Sequence, residues 1–143
     1  MTSNTQRLSV RVYYEDTDFS GRVYHASYLR FFERGRTEWL RAFGMQHSTL
    51  AQSTDVTFAV TRLNVEFHAA GAIDDLLDVS TELGEIRGPL LVFQQTISRE
   101  ETKLATARVD VITLKGRRPA RPPREILKRL SDFTGRSPYR SVR

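Results

Sequence analysis

The sequence predicts an α+β fold in which a five-stranded antiparallel sheet packs against one long helix, in the order β-α-β-β-β-β. One segment carries apolar residues at helical spacing over about four turns. Five other segments have the alternation and the β-branched and aromatic composition of strands. The breaks between the last strand segments are short, which is typical of antiparallel hairpins. One helix and five strands therefore define the expected fold class.

The first strand and the long helix lie on either side of a short acidic segment. The alternating segment Leu8 to Tyr14 predicts the strand, and Tyr28 to Phe43 predicts the helix. The apolar positions of this helix share one face: Tyr28, Phe31, Phe32, Gly35, Trp39, Ala42 and Phe43. Because no second long helix is available to cover the sheet, we expect the large aromatic residues of this face to fill most of the core. Gly35 is expected to allow close approach to the sheet.

The remaining strands follow a turn-rich segment near Gln46 to Asp55. They are predicted at Thr57 to Phe67, Leu76 to Ile86, Leu90 to Arg99 and Leu104 to Leu114. The last of them carries apolar residues on both faces, with Ala105 and Val109 on one side and Ile112 on the other. We therefore expect a partner subunit to cover the apolar surface that a single helix leaves open.

Composition places the chain among soluble cytoplasmic proteins. Its 143 residues, 39% hydrophobic and 27% charged, fit a single globular domain. No uncharged stretch approaches the roughly 20 residues that cross a bilayer. The chain has no cysteine, which excludes disulfides, a thiol nucleophile and thiolate metal ligands.

Charge is distributed unevenly and divides the chain into a domain at 1–114 and a basic C-terminal tail at 115–143. The first part holds 12 Lys and Arg against 15 Asp and Glu, and the tail holds 10 against 2. The tail opens with a Pro-rich basic run, Lys115 to Arg124, and a short helix is predicted near Glu125 to Phe133. Two interpretations stay open: a solvated terminus with no ligand, or a surface for nucleic acid, anionic lipid or a phosphorylated cofactor.

The candidate site is the acidic segment between the first strand and the helix. Glu15, Asp16 and Asp18 are followed by Gly21 and then by His25 at the start of the helix. Unpaired backbone N–H groups and the helix dipole favour developing negative charge at a helix N-terminus. The sequence therefore predicts that a charged reactant is held there.

Several other kinds of site fit the sequence poorly. A calcium loop opening at Asp16 needs a bidentate Glu at its twelfth position, where this chain has Ser27. His25, His47 and His68 lie far apart without zinc-site spacing, and no Gly-x-Ser-x-Gly hydrolase elbow is present. Asp-x-Asp phosphatases use a larger parallel sheet than this short, hairpin-rich chain can form. Carboxylate chemistry at the helix N-terminus remains.

The same residues carry a family resemblance. Tyr14-Glu15-Asp16-Thr17-Asp18, followed by Gly21-x-Val23-Tyr24-His25-Ala26-x-Tyr28-Leu29-x-Phe31-Phe32-Glu33-Arg34-x-Arg36-Thr37-Glu38, closely resembles the hotdog-fold acyl-CoA thioesterases of the YbgC type. These are relatives of 4-hydroxybenzoyl-CoA thioesterase that are associated with the Tol-Pal system. The similarity extends over roughly residues 8–114. It implies a hotdog fold and an acyl-CoA substrate. No cofactor or metal is expected.

The resemblance also implies roles for individual residues. Asp18 corresponds to the catalytic carboxylate, which either attacks the thioester or deprotonates a water molecule. His25 corresponds to the residue whose backbone N–H polarises the thioester carbonyl, and its ring either assists the reaction or packs against Tyr24 or Tyr28. Glu33 and Tyr24 are reserve candidates, and Glu33 is also expected in surface or subunit ion pairs. Without a catalytic role, Asp18 would be a turn or capping acid. Asp16 and Glu15 are expected to cap backbone N–H groups.

Substrate and partner expectations follow from the resemblance too. Arg87 corresponds to a position near a CoA-binding basic cluster, although this chain continues with Gly88 and Pro89 where that cluster has basic residues. Hotdog proteins pair two subunits into one continuous sheet, so we expect a homodimer or homotetramer with sites lined by two chains. An acyl carrier protein is an alternative thioester donor, and Phe19, Phe58 and Val60 are candidates for an acyl tunnel.

Two further functional hypotheses are kept. In the first, the chain is a non-catalytic hotdog subunit that binds acyl groups or belongs to a membrane complex. In the second, the basic tail dominates and binds lipid or nucleic acid. Under the leading hypothesis no nucleic acid is expected, and the tail contacts the anionic inner face of the membrane.

Overall fold

The computed structural model describes residues 4–45 and 55–134, with side chains described as far as residue 130. Most of the predicted turn-rich segment, including His47, lies outside the described residues. In the described part, an antiparallel sheet has the strand order β1-β3-β4-β5-β2, and a short β6 pairs with β5. The strands are β1 (Gln6–Arg11), β2 (Val56–Phe67), β3 (Leu76–Arg87), β4 (Leu90–Arg99), β5 (Thr102–Lys115) and β6 (Arg118–Pro119). The helices are α1 (His25–Ala42) and α2 (Arg124–Thr134).

The observed order of the helices and strands confirms the prediction. The predicted end of the first strand and the predicted start of the first helix are each wrong by three residues, on either side of the acidic segment. The first strand ends at Arg11, whereas the sequence predicts it as far as Tyr14, which lies in a 3-10 turn, Tyr14–Asp16. The chain leaves the sheet there because the Asp16 carboxylate accepts a hydrogen bond from the Tyr13 N–H at 2.8 Å. Helix α1 begins at His25, three residues earlier than predicted.

The aromatic face of α1 forms the centre of the core, as expected. Phe31, Phe32 and Trp39 are fully buried, and the Trp39 ring lies 4.2 Å from Phe43 and 5.3 Å from Phe93, centroid to centroid. The indole N–H of Trp39 donates to the backbone carbonyl oxygen of Asn4 at 2.7 Å, so this buried polar atom is satisfied. The helix thereby ties the N-terminal strand to the middle of the sheet.

Helix α1 approaches the sheet closely at Gly35, which confirms the expected role of this glycine. A Cβ atom built on Gly35 would lie 2.7 Å from Thr81 Oγ1, 2.8 Å from Val79 Cγ1 and 3.0 Å from Gln95 Nε2. Beside it, buried Gln95 donates from Nε2 to the Phe32 carbonyl and to Thr81 Oγ1, both at 2.8 Å. The helix can approach this polar cluster only because residue 35 has no side chain.

Strand β2 lies at one edge of the sheet, and α1 leaves it largely uncovered because the helix packs mainly over β1, β3 and β4. Residues paired across an antiparallel ladder point to the same face. The β2 residues opposite the inward-facing residues of β5 are therefore on the helix side of the sheet, and they form the β2 apolar surface: Phe58, Val60, Leu63, Val65 and Phe67. Val60 and Phe67 are about half exposed, and Leu63 is 39% exposed.

The C-terminal segment continues the packed structure beyond residue 114. Strand β6 pairs with the end of β5, and α2 agrees with the short helix predicted near Glu125 to Phe133. Ile126, Leu127 and Leu130 are at most 5% exposed and belong to the same core as α1. The interpretation as a solvated terminus is therefore wrong for α2, because its apolar side chains pack onto the sheet domain. No helix in the described ranges is both long and apolar enough to cross a membrane.

Candidate active site

The acidic loop, residues 16–24, folds into a tight turn between the 3-10 turn and α1. The Asp18 N–H donates to the Arg22 carbonyl at 2.9 Å, and the Gly21 N–H donates to the Asp18 carbonyl at 3.2 Å. Gly21 has a φ of 79°, a left-handed conformation that favours glycine. The Tyr24 N–H donates to the Asp16 carbonyl at 2.9 Å, which closes the loop just before the helix begins. A short network of backbone hydrogen bonds thus holds Asp18 and the start of α1.

Asp18 presents an ionised carboxylate to solvent. Its Oδ1 accepts hydrogen bonds from the Ser20 hydroxyl at 2.6 Å and from the Ser20 N–H at 2.8 Å. The Ser20 hydroxyl and then the Ser20 amide hold the pKa of Asp18 below its ordinary value, and Arg22 contributes in the same direction. Among the described residues these hydrogen bonds go to Oδ1, which leaves the other oxygen available to a substrate or a water molecule.

The N-terminus of α1 begins beside this loop with its first turn free of acidic side chains. Tyr24 occupies the capping position in extended conformation, and its side chain makes no capping hydrogen bond. The first N–H groups of a helix have no intrahelical acceptor and carry its positive dipole end. The backbone N–H of His25 belongs to this set. An oxyanion would therefore meet hydrogen-bond donors here rather than a capping carboxylate.

The His25 ring packs against aromatic neighbours from two parts of the chain. Its centroid lies 4.6 Å from the Tyr24 ring, which confirms one of the two packing partners considered for it, and 6.3 Å from the Phe67 ring on β2. Local sequence does not predict the second contact, because Phe67 is distant along the chain. Tyr24 is about half exposed and lies at the helix start, next to His25.

Asp16 has a structural role, as expected for a capping acid. It is 8% exposed, accepts the Tyr13 N–H, and lies 3.5 Å from Arg30 Nη2 on α1. It therefore anchors the start of the acidic loop to the helix. Glu15, its neighbour, is exposed.

Glu33 lies apart from Asp18, on the wall of a pocket of about 290 Å³. It is eight residues beyond His25, about 12 Å along the helix axis at 1.5 Å per residue. The pocket is mostly apolar and includes two of the acyl-tunnel candidates, Phe58 and Val60, whereas the third, Phe19, is exposed beside Asp18. Burial lowers the pKa of Arg36 on the same wall, and the Glu33 carboxylate opposes this shift.

Arg87 is not brought next to Asp18 within one chain. It ends β3 and its Nη2 lies 3.2 Å from Glu85 Oε2. Residues 70–75, which contact the acidic loop, come just before the other end of this strand. Eleven residue steps along β3 span roughly 35 Å. The two candidate positions therefore lie at opposite ends of the sheet.

Residues 70–75, named here the support loop, are the part of the site that sequence reasoning missed. The Val23 N–H donates to the Gly71 carbonyl at 2.9 Å, and the Ile73 N–H donates to the Gly21 carbonyl at 3.0 Å. The sequence marks this segment only as a break before a strand. Its Gly71 and Asp75 indicated a turn, but nothing local to them indicated a contact some 50 residues away.

The sequence matches known proteins over most of its length. Residues 12–130 match the family model of the thioesterase-like superfamily. The chain is 41% identical over 128 residues to "Acyl-CoA thioesterase YbgC" of Haemophilus influenzae, covering 88% of this chain and 94% of the relative. It is 44% identical over 113 residues to "Acyl-CoA thioester hydrolase YbgC" of Escherichia coli O6:H1, covering 78% and 84%.

A solved structure with the same fold adds to the sequence comparisons. The probable thioesterase from Bartonella henselae superposes with a TM-score of 0.80 at 37% identity, covering 83% of this chain and 99% of the other. The predicted hotdog fold and the predicted family are both confirmed. This chain belongs to the thioesterase-like superfamily and, within it, to the YbgC-type acyl-CoA thioesterases.

Proposed function

We propose that this protein hydrolyses acyl-CoA thioesters to a free acid and CoA, with Asp18 as the reacting carboxylate. The observation that carries the proposal is an exposed, ionised carboxylate on a tight loop that ends at the uncapped N-terminus of α1. The identity of 41% and 44% to two YbgC thioester hydrolases supports the reaction class.

The chemistry needs few catalytic groups. The thiol released from a thioester has a pKa of about 8.5, so the thiolate leaves without strong help from a general acid. As the carbonyl carbon is attacked, its oxygen gains charge, which the His25 N–H and the helix dipole stabilise; such a donor contributes on the order of 3 kcal/mol.

Two routes use Asp18 in this environment. In the nucleophilic route, a carboxylate oxygen bonds to the carbonyl carbon, the C–S bond breaks, and water then hydrolyses the mixed anhydride. In the general-base route, Asp18 takes a proton from the attacking water. Both routes require the ionised form, which the hydrogen bonds from Ser20 favour.

The test of this function is release of the CoA thiol from short-chain, long-chain and aromatic acyl-CoAs, with acyl carrier protein thioesters as alternative donors. Turnover of one acyl class supports the proposal, and the Asp18 variant described in the Discussion assigns the catalytic group. If no thioester of either donor is hydrolysed, the proposal fails and a non-catalytic acyl-binding subunit replaces it.

We infer further that two copies pair along the exposed edge of β2. Helix α1 leaves the β2 apolar surface largely uncovered, and β2 is an edge strand of the sheet that the described residues form. Edge strands are a ready template for pairing with another chain. A two-fold pairing would extend the sheet, cover this surface and line the pocket at Phe58 and Val60 from a second chain. It would also allow Arg87 of one chain to bind the CoA of a substrate whose thioester lies at Asp18 of the other chain.

We expect Leu63→Lys to convert a dimer into a monomer, because it places a charge in the middle of the β2 apolar surface. Analytical ultracentrifugation of the wild type should give the mass of two chains or a multiple of it. The matched control is Ser9→Lys on β1, at the opposite edge of the sheet, which should leave the mass unchanged. A monomeric wild type would refute the pairing.

The basic segment 115–130 supports a proposal of contact with anionic membranes. Seven cations stand against one acid, Glu125, and all of them are exposed: Lys115, Arg117, Arg118, Arg121, Arg124, Lys128 and Arg129. Because the apolar face of α2 is packed into the core, this contact would be electrostatic rather than by insertion. Each cation near an anionic surface contributes about 1 kcal/mol.

Co-sedimentation with vesicles tests the membrane contact. We expect binding to vesicles of phosphatidylglycerol and phosphatidylcholine at low salt, loss of binding at high salt, and no binding to phosphatidylcholine alone. Arg121→Glu with Lys128→Glu should abolish binding while thioester hydrolysis is retained. Equal sedimentation with both vesicle types, or with neither, would rule the contact out.

A further inference from the structure

The support loop is itself held in place by three side chains outside the acidic loop. The Gly71 N–H donates to the Tyr28 hydroxyl oxygen at 2.9 Å. Asp75 Oδ2 accepts from the Ala72 N–H at 2.9 Å and from Arg99 Nη1 at 2.8 Å. Gly71 and Ile73 are the support-loop residues whose backbone binds the acidic loop. Tyr28 thus holds Gly71 directly, and Asp75 holds Ala72, which lies between these two residues.

Close packing restricts the contact between the acidic loop and the support loop. Gly71 is buried, and a Cβ built on it would lie 3.1 Å from Val23 Cγ2, 3.2 Å from Leu104 Cδ1 and 3.5 Å from the Tyr28 hydroxyl. On the other side of Gly71, Arg99 Nη1 also reaches the Ala70 carbonyl at 3.3 Å. The support loop is therefore confined between the helix, the sheet and the acidic loop.

Tyr28 links the support loop to α1. It is buried and lies three residues after His25, one turn into α1. Its hydroxyl binds Gly71, Gly71 binds Val23, and the chain then runs directly into Tyr24 and the helix N-terminus. The proposed oxyanion donor and the proposed reacting carboxylate are connected through the same support loop.

We propose that Tyr28 and the Asp75–Arg99 pair are positioning residues, which hold the Asp18 carboxylate and the His25 N–H at the mutual geometry needed for thioester hydrolysis. This inference rests on the proposed function. Misplacement of a reacting group by about 1 Å can cost on the order of 100-fold in rate. The three side chains do not touch the reacting atoms in this arrangement; they act through Gly71, Ala72 and Val23.

Tyr28→Phe is the sharpest test because it removes a single oxygen atom from a buried site. The Gly71 N–H then loses its acceptor, so the support loop has to shift. We expect kcat to fall by about 10- to 100-fold while KM changes by less than about threefold, since the positioned groups act mainly in the transition state. Tyr14→Phe is the matched control: it removes an exposed phenol hydroxyl from the preceding turn and should leave both constants unchanged.

A double variant separates positioning from general loss of stability. In the Asp18→Asn background, Tyr28→Phe should cause a clearly smaller further loss of rate than in the wild type, because Asp18 is already absent and only the His25 N–H remains to be positioned. A full additional loss in that background would mean that Tyr28 acts independently of Asp18, and the proposal would be wrong. The rates are measured well below the melting temperature of each variant, so that unfolded protein does not contribute.

Substitutions of Arg99 provide a second test, in which the buried Tyr28 is unchanged. Arg99→Ala should lower kcat, and Arg99→Lys, which retains one cationic donor towards Asp75, should restore part of it. Unchanged kcat in both Tyr28→Phe and Arg99→Ala would overturn the positioning role. That result leaves the proposed function intact if Asp18→Asn is inactive, whereas a wild type without hydrolase activity would contradict the function itself.

Discussion

Asp18→Asn is expected to lower kcat for acyl-CoA hydrolysis by at least about 100-fold, the scale of losing an acid-base group or an oxyanion donor. The amide is close in shape to the carboxylate and can still accept the two hydrogen bonds from Ser20 through its oxygen. It can neither form the anhydride nor take a proton from water. The acidic loop should therefore keep its conformation while the reaction stops, and release of the CoA thiol measures the loss.

The control for this prediction is Glu15→Gln, which removes one exposed carboxylate from the neighbouring turn. It should leave kcat within about twofold of the wild type, because Glu15 has no place in the reaction that we propose. Circular dichroism and the melting temperature should be the same for both variants and the wild type. A folded Asp18→Asn enzyme with full activity would exclude Asp18 as the reacting group and direct attention to Glu33.

Gly35→Val is expected to destabilise the protein by about 3 kcal/mol, at the upper end of the usual cost of overpacking a core. The added Cβ would enter the space of Thr81 Oγ1 and Val79 Cγ1, at 2.7 and 2.8 Å. Both neighbours are β-branched and sit on a strand, so they cannot easily rotate away. The helix would have to move off the sheet, which would also strain the hydrogen bond from Gln95 to the Phe32 carbonyl on α1.

Urea unfolding measures this loss as a change in the free energy of unfolding. The control is Gly84→Val, at a glycine within β3 where the register shifts between Leu83 and Glu85 and where a Cβ would make only ordinary contacts at 3.5 Å. It should change the free energy by less than about 1 kcal/mol. If Gly35→Val is too unstable to purify, Gly35→Ala gives the milder form of the same effect. Equal stability of the Gly35 and Gly84 variants would contradict the close helix–sheet contact.

Much of the fold could be predicted because its signals are local. The 3.6-residue periodicity of α1 and the alternation of the strands place each element within a few residues of its observed bounds. The aromatic residues of α1 and Gly35 were assigned to the core on spacing alone. The main boundary error, at Tyr13 and Tyr14, arose because aromatic residues favour strands, while the hydrogen bond from Tyr13 to Asp16 turns the chain.

In the candidate site, too, the sequence predicts the arrangement of residues that are close along the chain and misses contacts between distant ones. Asp18 and His25 are seven residues apart, so a strand–loop–helix sequence already places them together. The family resemblance adds Arg87 and Glu33 to the candidate residues, and the structure puts both at a distance from Asp18 within one chain. The sequence predicts only a packing role for Tyr28, because nothing in its neighbourhood indicates a hydrogen-bond partner 43 residues away.

The sequence by itself determined the fold class, the family, the core face of α1 and the acidic loop with Asp18, since each depends on residues that are close along the chain. The tertiary structure alone decided that residues 70–75 support this loop, that β2 keeps an uncovered apolar surface, and that α2 packs onto the core. These features depend on contacts between residues that are distant along the chain. Such contacts are selected by the packing of the whole domain, and no local pattern of side chains specifies them.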